Sequence, residues 1–163
     1  MTLYSIGHSN VAIDAFLDLL RRYEIDALVD ARSRPYSRYN RHFSREPLQQ
    51  SIEEEGIKYV YLGKEIGGHP EDPKLYFESG KADYEAVAQS PLYLAGIERL
   101  LALASDRRVA FMCAEADFKH CHRYWLITRT LVGRGVEVRH ILHSGETAVS
   151  DLSEFESAQP RLF

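Results

Sequence analysis

The feature that most constrains this chain is an alternation along its length. Short, nearly unbroken apolar runs are separated by segments in which apolar residues recur at helical spacing. A continuous apolar run suits a strand covered on both faces, whereas apolar residues at i, i+3, i+4 and i+7 turn one face of a helix inward. Their alternation is the signature of βα units and a mainly parallel sheet. Five runs read as strands, at residues 3–6, 25–30, 57–62, 109–113 and 136–142.

The helical segments fall between them. Ile13, Phe16, Leu17 and Leu20 mark the first, with Ser9 or Asn10 available as its cap, and Leu48 and Ile52 follow Ser44 in the second. Ser90-Pro91 opens a third helix with Tyr93, Ile97, Leu100, Leu101 and Ala104 inward. A fourth, over 120–132, turns Tyr124, Ile127, Thr128 and Leu131 inward and stops at Gly133 and Gly135.

The expectation is one three-layer α/β/α domain over residues 1–143, with a five-stranded, mainly parallel sheet and helices on both faces. Residues 63–90 carry one helical piece near Tyr84 and otherwise read as a lid or binding loop. Residues 144–163 read as an acidic C-terminal tail that only Leu152, Phe155, Leu162 and Phe163 can anchor.

Composition narrows the class. With 45% hydrophobic and 27% charged residues, the 163-residue chain is a globular domain and neither disordered nor of low complexity. No apolar run approaches the roughly 20 residues that span a bilayer, and no basic and apolar leader follows Met1. A cytoplasmic protein without membrane contact is therefore expected, and the two cysteines suit a reducing compartment.

Ligands of open α/β sheets bind outside the carboxyl ends of the strands, which directs attention to the residues after each run. These are His8, Ser9 and Asn10 after the first; Asp30, Arg32 and Arg34 at the second; and Lys64 and Glu65 after the third. Cys113, Glu115 and Asp117 follow the fourth, leading to His120, Cys121, His122 and Arg123, and His143 follows the fifth.

Residues 31–45 hold five of the 20 basic residues, ending at Arg45, and none of the 24 acidic ones, so the rest of the chain carries −9. Arginine suits bidentate phosphate contacts, and the interleaved Tyr36 and Tyr39 can stack on bases. The other reading is a solvated loop of mutually repelling cations.

Cys113 is a nucleophile if a neighbouring cation lowers its pKa, or an inert packed thiol if none does. Glu115 is a general base or the holder of a loop arginine. His8 reaches a ligand or hydrogen-bonds a neighbouring loop, and the amides beside Ser9 and Asn10 are either capped or open to an anion. A phosphatase-type loop fails because Lys119, and not arginine, occupies the sixth position after Cys113. Cys113, His120, Cys121 and His122 lack a recognised zinc spacing, and a redox pair of Cys113 with Cys121 is a minor reading because the two are not in a Cys-x-x-Cys arrangement. Gly67-Gly68 is too short for a dinucleotide fingerprint, and no other motif names a cofactor.

Taken in order, Gly7-His8-Ser9-Asn10, Asp30-Ala31-Arg32-Ser33-Arg34-Pro35, the segment 62–68 ending in Gly67-Gly68, Cys113-Ala114-Glu115 and Cys121-His122-Arg123 resemble the domain of unknown function 488 family. The resemblance runs over residues 3–141 and departs from the usual pattern at Ala31 and at Lys64-Glu65-Ile66. It implies a single α/β domain of bacterial or archaeal type with these motifs around one site, and it brings no reaction with it.

The expected function is an enzyme, a hydrolase or transferase, acting on a phosphorylated or nucleotide-like substrate. Arg32, Arg34 and Arg123 would hold the anion, Cys113 would be the nucleophile, and Glu115 or His122 the acid/base. The alternative is a non-catalytic module that binds nucleic acid or a nucleotide through residues 32–45. His8, Ser9, Asn10, Asp30, Arg45, Gly67, Gly68 and Cys121 complete the expected ligand surroundings.

Overall fold

A computed structural model describes residues 1–156. Six strands form one sheet: β1 (Thr2–Gly7), β2 (Ala27–Asp30), β3 (Lys58–Tyr61), β4 (Val109–Cys113), β5 (Glu137–Ile141) and β6 (Thr147–Ser150), in the order β3-β2-β4-β1-β5-β6. The first five run parallel, as their apolar character requires, and β6 pairs antiparallel with β5. The sixth strand corrects the expected count of five: part of the segment read as a tail, Thr147-Ala148-Val149-Ser150, closes the sheet edge.

Alternation along the strands divides the core in two. Tyr4, Ile6, Leu28 and Met112 face α1 (Ile13–Arg22) and α2 (Arg45–Glu54), which contribute Phe16, Leu17, Leu20, Leu48 and Ile52. Leu3, Val29, Phe111 and Val138 face the opposite layer.

On that side lie α3 (Gly63–Ile66), α4 (Tyr84–Val87) and α5 (Pro91–Ala104), a π-helical turn over Arg123–Thr128, its continuation α6 (Arg129–Gly133), and α7 (Ser153–Glu156). Phe155 of α7 is buried there, Leu152 is exposed, and Leu162 and Phe163 lie outside the described residues. Within residues 63–90, Ile66, Leu75, Tyr84 and Val87 pack onto this same core. No helix among the described residues is long and apolar enough to cross a membrane.

The topology sets the place of the site. The chain leaves β1 and β2 towards the α1/α2 layer but leaves β4 towards the opposite one, so a crevice opens at the carboxyl ends of these three neighbours. Backbone pairing continues past the strand ends there, from His8 N to Cys113 O at 3.0 Å and from Ser9 N to Ala114 O at 2.8 Å.

Candidate active site

Beneath the crevice lies a buried ion pair. Arg32 donates from Nε to Asp30 Oδ1 at 2.9 Å and from Nη2 to Oδ2 at 2.8 Å, and its Nη1 donates to the Phe43 carbonyl at 2.7 Å. Tyr59 donates its hydroxyl to Asp30 Oδ2 at 2.5 Å. His8 Nδ1 lies 2.8 Å from the Ser9 carbonyl, which only accepts, so Nδ1 carries the proton and Nε2 accepts from Arg32 at 3.2 Å. Burial lowers the His8 pKa to about 4, and the neutral ring stacks on Phe43.

Arg32 and His8 thus tie the loops together, and Arg32 also lines the cavity above. The expected anion-binding role of Arg32 meets a guanidinium already engaged by Asp30, because a carboxylate two residues away satisfies its fork.

Ser9 and Asn10 do not cap α1, whose N-cap is Ala12. Continued pairing with β4 and a left-handed turn at Ser9 (φ 46°) postpone the helix. Arg45 lays its guanidinium over the Tyr61 ring, 4.3 Å from the centroid, and is not among the residues that line the cavity.

Above the ion pair a cavity of about 360 Å³ is lined by Arg32, Ser33, Arg34, Gly68, His69, Tyr84, Cys113, Ala114, Glu115, His120, Cys121 and His122. Residues 68, 69 and 84 make part of its wall, so the segment read as a lid or binding loop contributes to the site. Gly67 and Gly68 allow the approach. A Cβ at Gly67 would lie 2.2 Å from Ser33 Oγ, and one at Gly68 would lie 3.1 Å from the His122 ring.

The two cysteines meet at the cavity, with Cys113 Sγ 2.9 Å from Cys121 Sγ. Cys113 is 2% exposed, whereas Cys121 is half-buried. Burial pushes the Cys113 thiol well above its ordinary range, and its hydrogen bond to Cys121 acts in the same direction. That bond, with Arg123 beside it, brings Cys121 down to about 7. Cys113, the expected nucleophile, thus ends a dry strand, and Cys121 in the turn that follows is the more accessible of the two thiols.

Arg123 is 1% exposed and has no carboxylate partner among the described residues. Its Nη2 donates to the carbonyls of Glu115 (2.9 Å) and Ala116 (3.3 Å), its Nη1 donates to Ser5 Oγ (3.1 Å), and its Nε is buried without a partner. A guanidinium only donates, so the Ser5 hydroxyl donates in turn to His140 Nδ1 at 2.5 Å, and His140 Nε2 donates to Ser150 Oγ at 2.7 Å. Burial, with the Arg123 charge, lowers His140 to about 3. Cys121 is the ionisable neighbour whose pKa the Arg123 charge helps to lower.

His122 donates from Nε2 to the Ala31 carbonyl at 2.9 Å, which leaves the lone pair on Nδ1. Burial lowers its pKa to about 4, so the ring is neutral at physiological pH. The Glu115 side chain is exposed at the rim, as is that of Arg34.

A family model for a domain of unknown function, DUF488, matches residues 12–130, well over half of the chain. The chain belongs to the DUF488 family. The matched span of this DUF488 domain holds Asp30, Arg32, both cysteines, His122 and Arg123, and stops short of β5 and β6, where His140 and Ser150 lie. No curated protein and no solved structure matches the chain.

Sequence reading missed His69 and Tyr84 as cavity residues and Ser5 and His140 as supports of Arg123. His69 directly follows Gly67-Gly68, which was the available signal. Ser5 and His140 carry none beyond being polar residues in apolar strands. Among the described residues, no three His, Cys, Asp or Glu side chains are grouped to hold a metal ion.

Proposed function

We propose that the cavity is the active site of a thiol-dependent hydrolase or transferase acting on a phosphorylated or nucleotide-like substrate, with Cys121 as nucleophile. The observation that carries this is the pair of sulfurs 2.9 Å apart at the cavity wall, with Cys121 lowered to about 7 beside the buried Arg123. A thiolate at neutral pH attacks an electrophilic centre, and the bond to the leaving group breaks as the bond to sulfur forms. The leaving oxygen takes its proton from solvent, and Glu115 at the rim or Nδ1 of His122 then takes one from the water or alcohol that displaces the Cys121 sulfur. Arg34 at the rim supplies charge for an anionic group. The two free thiols fit a reducing, cytoplasmic setting.

The experiment is site-resolved alkylation of the wild-type chain across pH, with and without a panel of phosphate-bearing ligands. The reading requires Cys121 to titrate near 7 and to be protected by one ligand class. An ordinary thiol profile without protection overturns it.

A second reading has its own support. Tyr36 and Tyr39 are 65% and 86% exposed, beside the exposed Arg34, Arg38 and Arg41. Aromatic and cationic side chains held out together suit single-stranded nucleic acid, bound through phosphates and stacking. Such binding weakens steeply with salt and is reduced by Arg38→Ala and Arg41→Ala while Cys121→Ser leaves it unchanged. A flat salt dependence excludes it.

A further inference from the structure

The two sulfurs need to approach by only about 1 Å to reach bonding distance. They are not equivalent. Cys121 is half-buried on the cavity wall, while Cys113 ends a central strand and is 2% exposed, so a reagent entering the cavity reaches Cys121 first. A nucleophile that only transfers an acyl or phosphoryl group has no use for a second thiol in contact with it. A nucleophile that becomes oxidised does, because the neighbour removes the oxidised group before it reacts further.

Arg123 adds the electrostatic half of the argument. It is buried, lacks a carboxylate partner among the described residues, and keeps an unpartnered Nε. A buried guanidinium needs a counter-charge, and a thiolate on the adjoining cysteine supplies it.

We propose that Cys121 and Cys113 are a peroxide-reactive dithiol, in which Cys121 attacks a hydroperoxide and Cys113 closes a disulfide on it. This goes beyond the phosphorylated-substrate reading and does not depend on it.

In the first step the Cys121 thiolate attacks one oxygen of hydrogen peroxide. The S–O bond forms, the O–O bond breaks, and the departing hydroxide takes a proton from solvent to leave as water. In the second, Cys113 sulfur attacks the Cys121 sulfenic sulfur and expels hydroxide, which takes the Cys113 proton and leaves as a second water. Two electrons pass from the sulfur pair to the peroxide.

Because Arg123 stabilises the reduced, thiolate form, the disulfide is readily reduced, as in oxidoreductases whose thiolate is favoured. An external dithiol returns the pair to its starting state. Closing the bridge also removes the nucleophile assigned to the cavity, so peroxide would silence that activity reversibly.

The test treats the purified full chain with stoichiometric hydrogen peroxide and follows free thiols, intact mass and dimedone trapping. The expected wild-type result is loss of both thiols, a mass lower by two hydrogens, no dimedone adduct, and full recovery with dithiothreitol. Cys113→Ser should halt at a dimedone-trappable sulfenic acid on Cys121, and Cys121→Ser should not react. Circular dichroism establishes that each variant is folded, and Cys113→Ala replaces Cys113→Ser should the latter not be.

Wild-type protein that keeps both thiols, or that accumulates sulfinic acid on Cys121 without bridging, overturns the proposal. The outcome separates from that of the phosphorylated-substrate reading. A Cys121 protected by a phosphate ligand but never bridged sinks only the dithiol, and a bridge formed without any ligand protection sinks only the substrate.

Discussion

Arg32 and Asp30 face each other as a two-pronged ion pair, at 2.9 and 2.8 Å, with both side chains buried at the carboxyl end of β2. Removing one partner leaves the other charge buried and uncompensated, which costs about 3–5 kcal/mol. Asp30→Ala and Arg32→Met should each lower stability on this scale in urea denaturation. The double variant should be more stable than the sum of the two losses predicts. Strict additivity would show that the pair is not coupled.

At Gly7 the end of β1 passes directly against the loop after β4. A Cβ there would lie 1.7 Å from the Glu115 carbonyl oxygen, the atom that also accepts from Arg123. Gly7→Ala must push this loop away, at about 1–3 kcal/mol for overpacking. The expected readout is a lower melting temperature together with a raised Cys121 pKa, since the displaced loop takes Arg123 with it. A variant with wild-type values for both would show that the loop yields freely.

The frame of the fold was legible because buried parallel strands are written as apolar runs, and 109–113 reads as a strand with the very bounds it has. Some elements of four residues were not. Thr147–Ser150 is half polar and becomes a strand only because β5 offers an edge, and Gly63–Ile66 becomes helical only by packing on α5. The π-helical turn was hidden too, since its inward residues Tyr124, Ile127 and Thr128 fit an ordinary helix equally well. In the site, sequence marked which residues are polar but not how they pair. Arg32 and Arg123 read alike, yet one is held by Asp30 and the other stands beside the cysteines without a carboxylate.

Acid should unfold this protein in a defined window. His8 and His122 have folded pKa values of about 4 and His140 of about 3, against an ordinary 6.5, all lowered chiefly by burial. Between those limits the unfolded chain binds more protons than the folded one, so stability is full above about pH 6.5 and falls as pH drops towards 4. For the fully enclosed His8 and His140 the slope is on the order of 1.4 kcal/mol per pH unit each, and it flattens below the folded values. Urea midpoints measured from pH 7 to pH 4 should follow this course, and His140→Gln should make the slope shallower. An unchanged slope would mean that His140 is not buried neutral.

Arg123 touches the cysteine loop in two ways, through its charge and through its bonds to the Glu115 and Ala116 carbonyls, and substitutions separate them. Arg123→Met removes the charge, so the Cys121 thiol should rise from about 7 towards an ordinary thiol and alkylate more slowly at neutral pH. Arg123→Lys keeps a charge but loses the planar fork, so it should hold the Cys121 value between those of wild type and Arg123→Met. Ser5→Ala removes one acceptor and disconnects His140, yet leaves the charge in place, and its Cys121 profile should match wild type. The measurement is the pH dependence of iodoacetamide reaction at Cys121 in the four proteins. A profile that moves equally in Ser5→Ala and Arg123→Met would make Arg123 a packing group. A profile that moves only with the charge makes it the counter-ion of the thiolate.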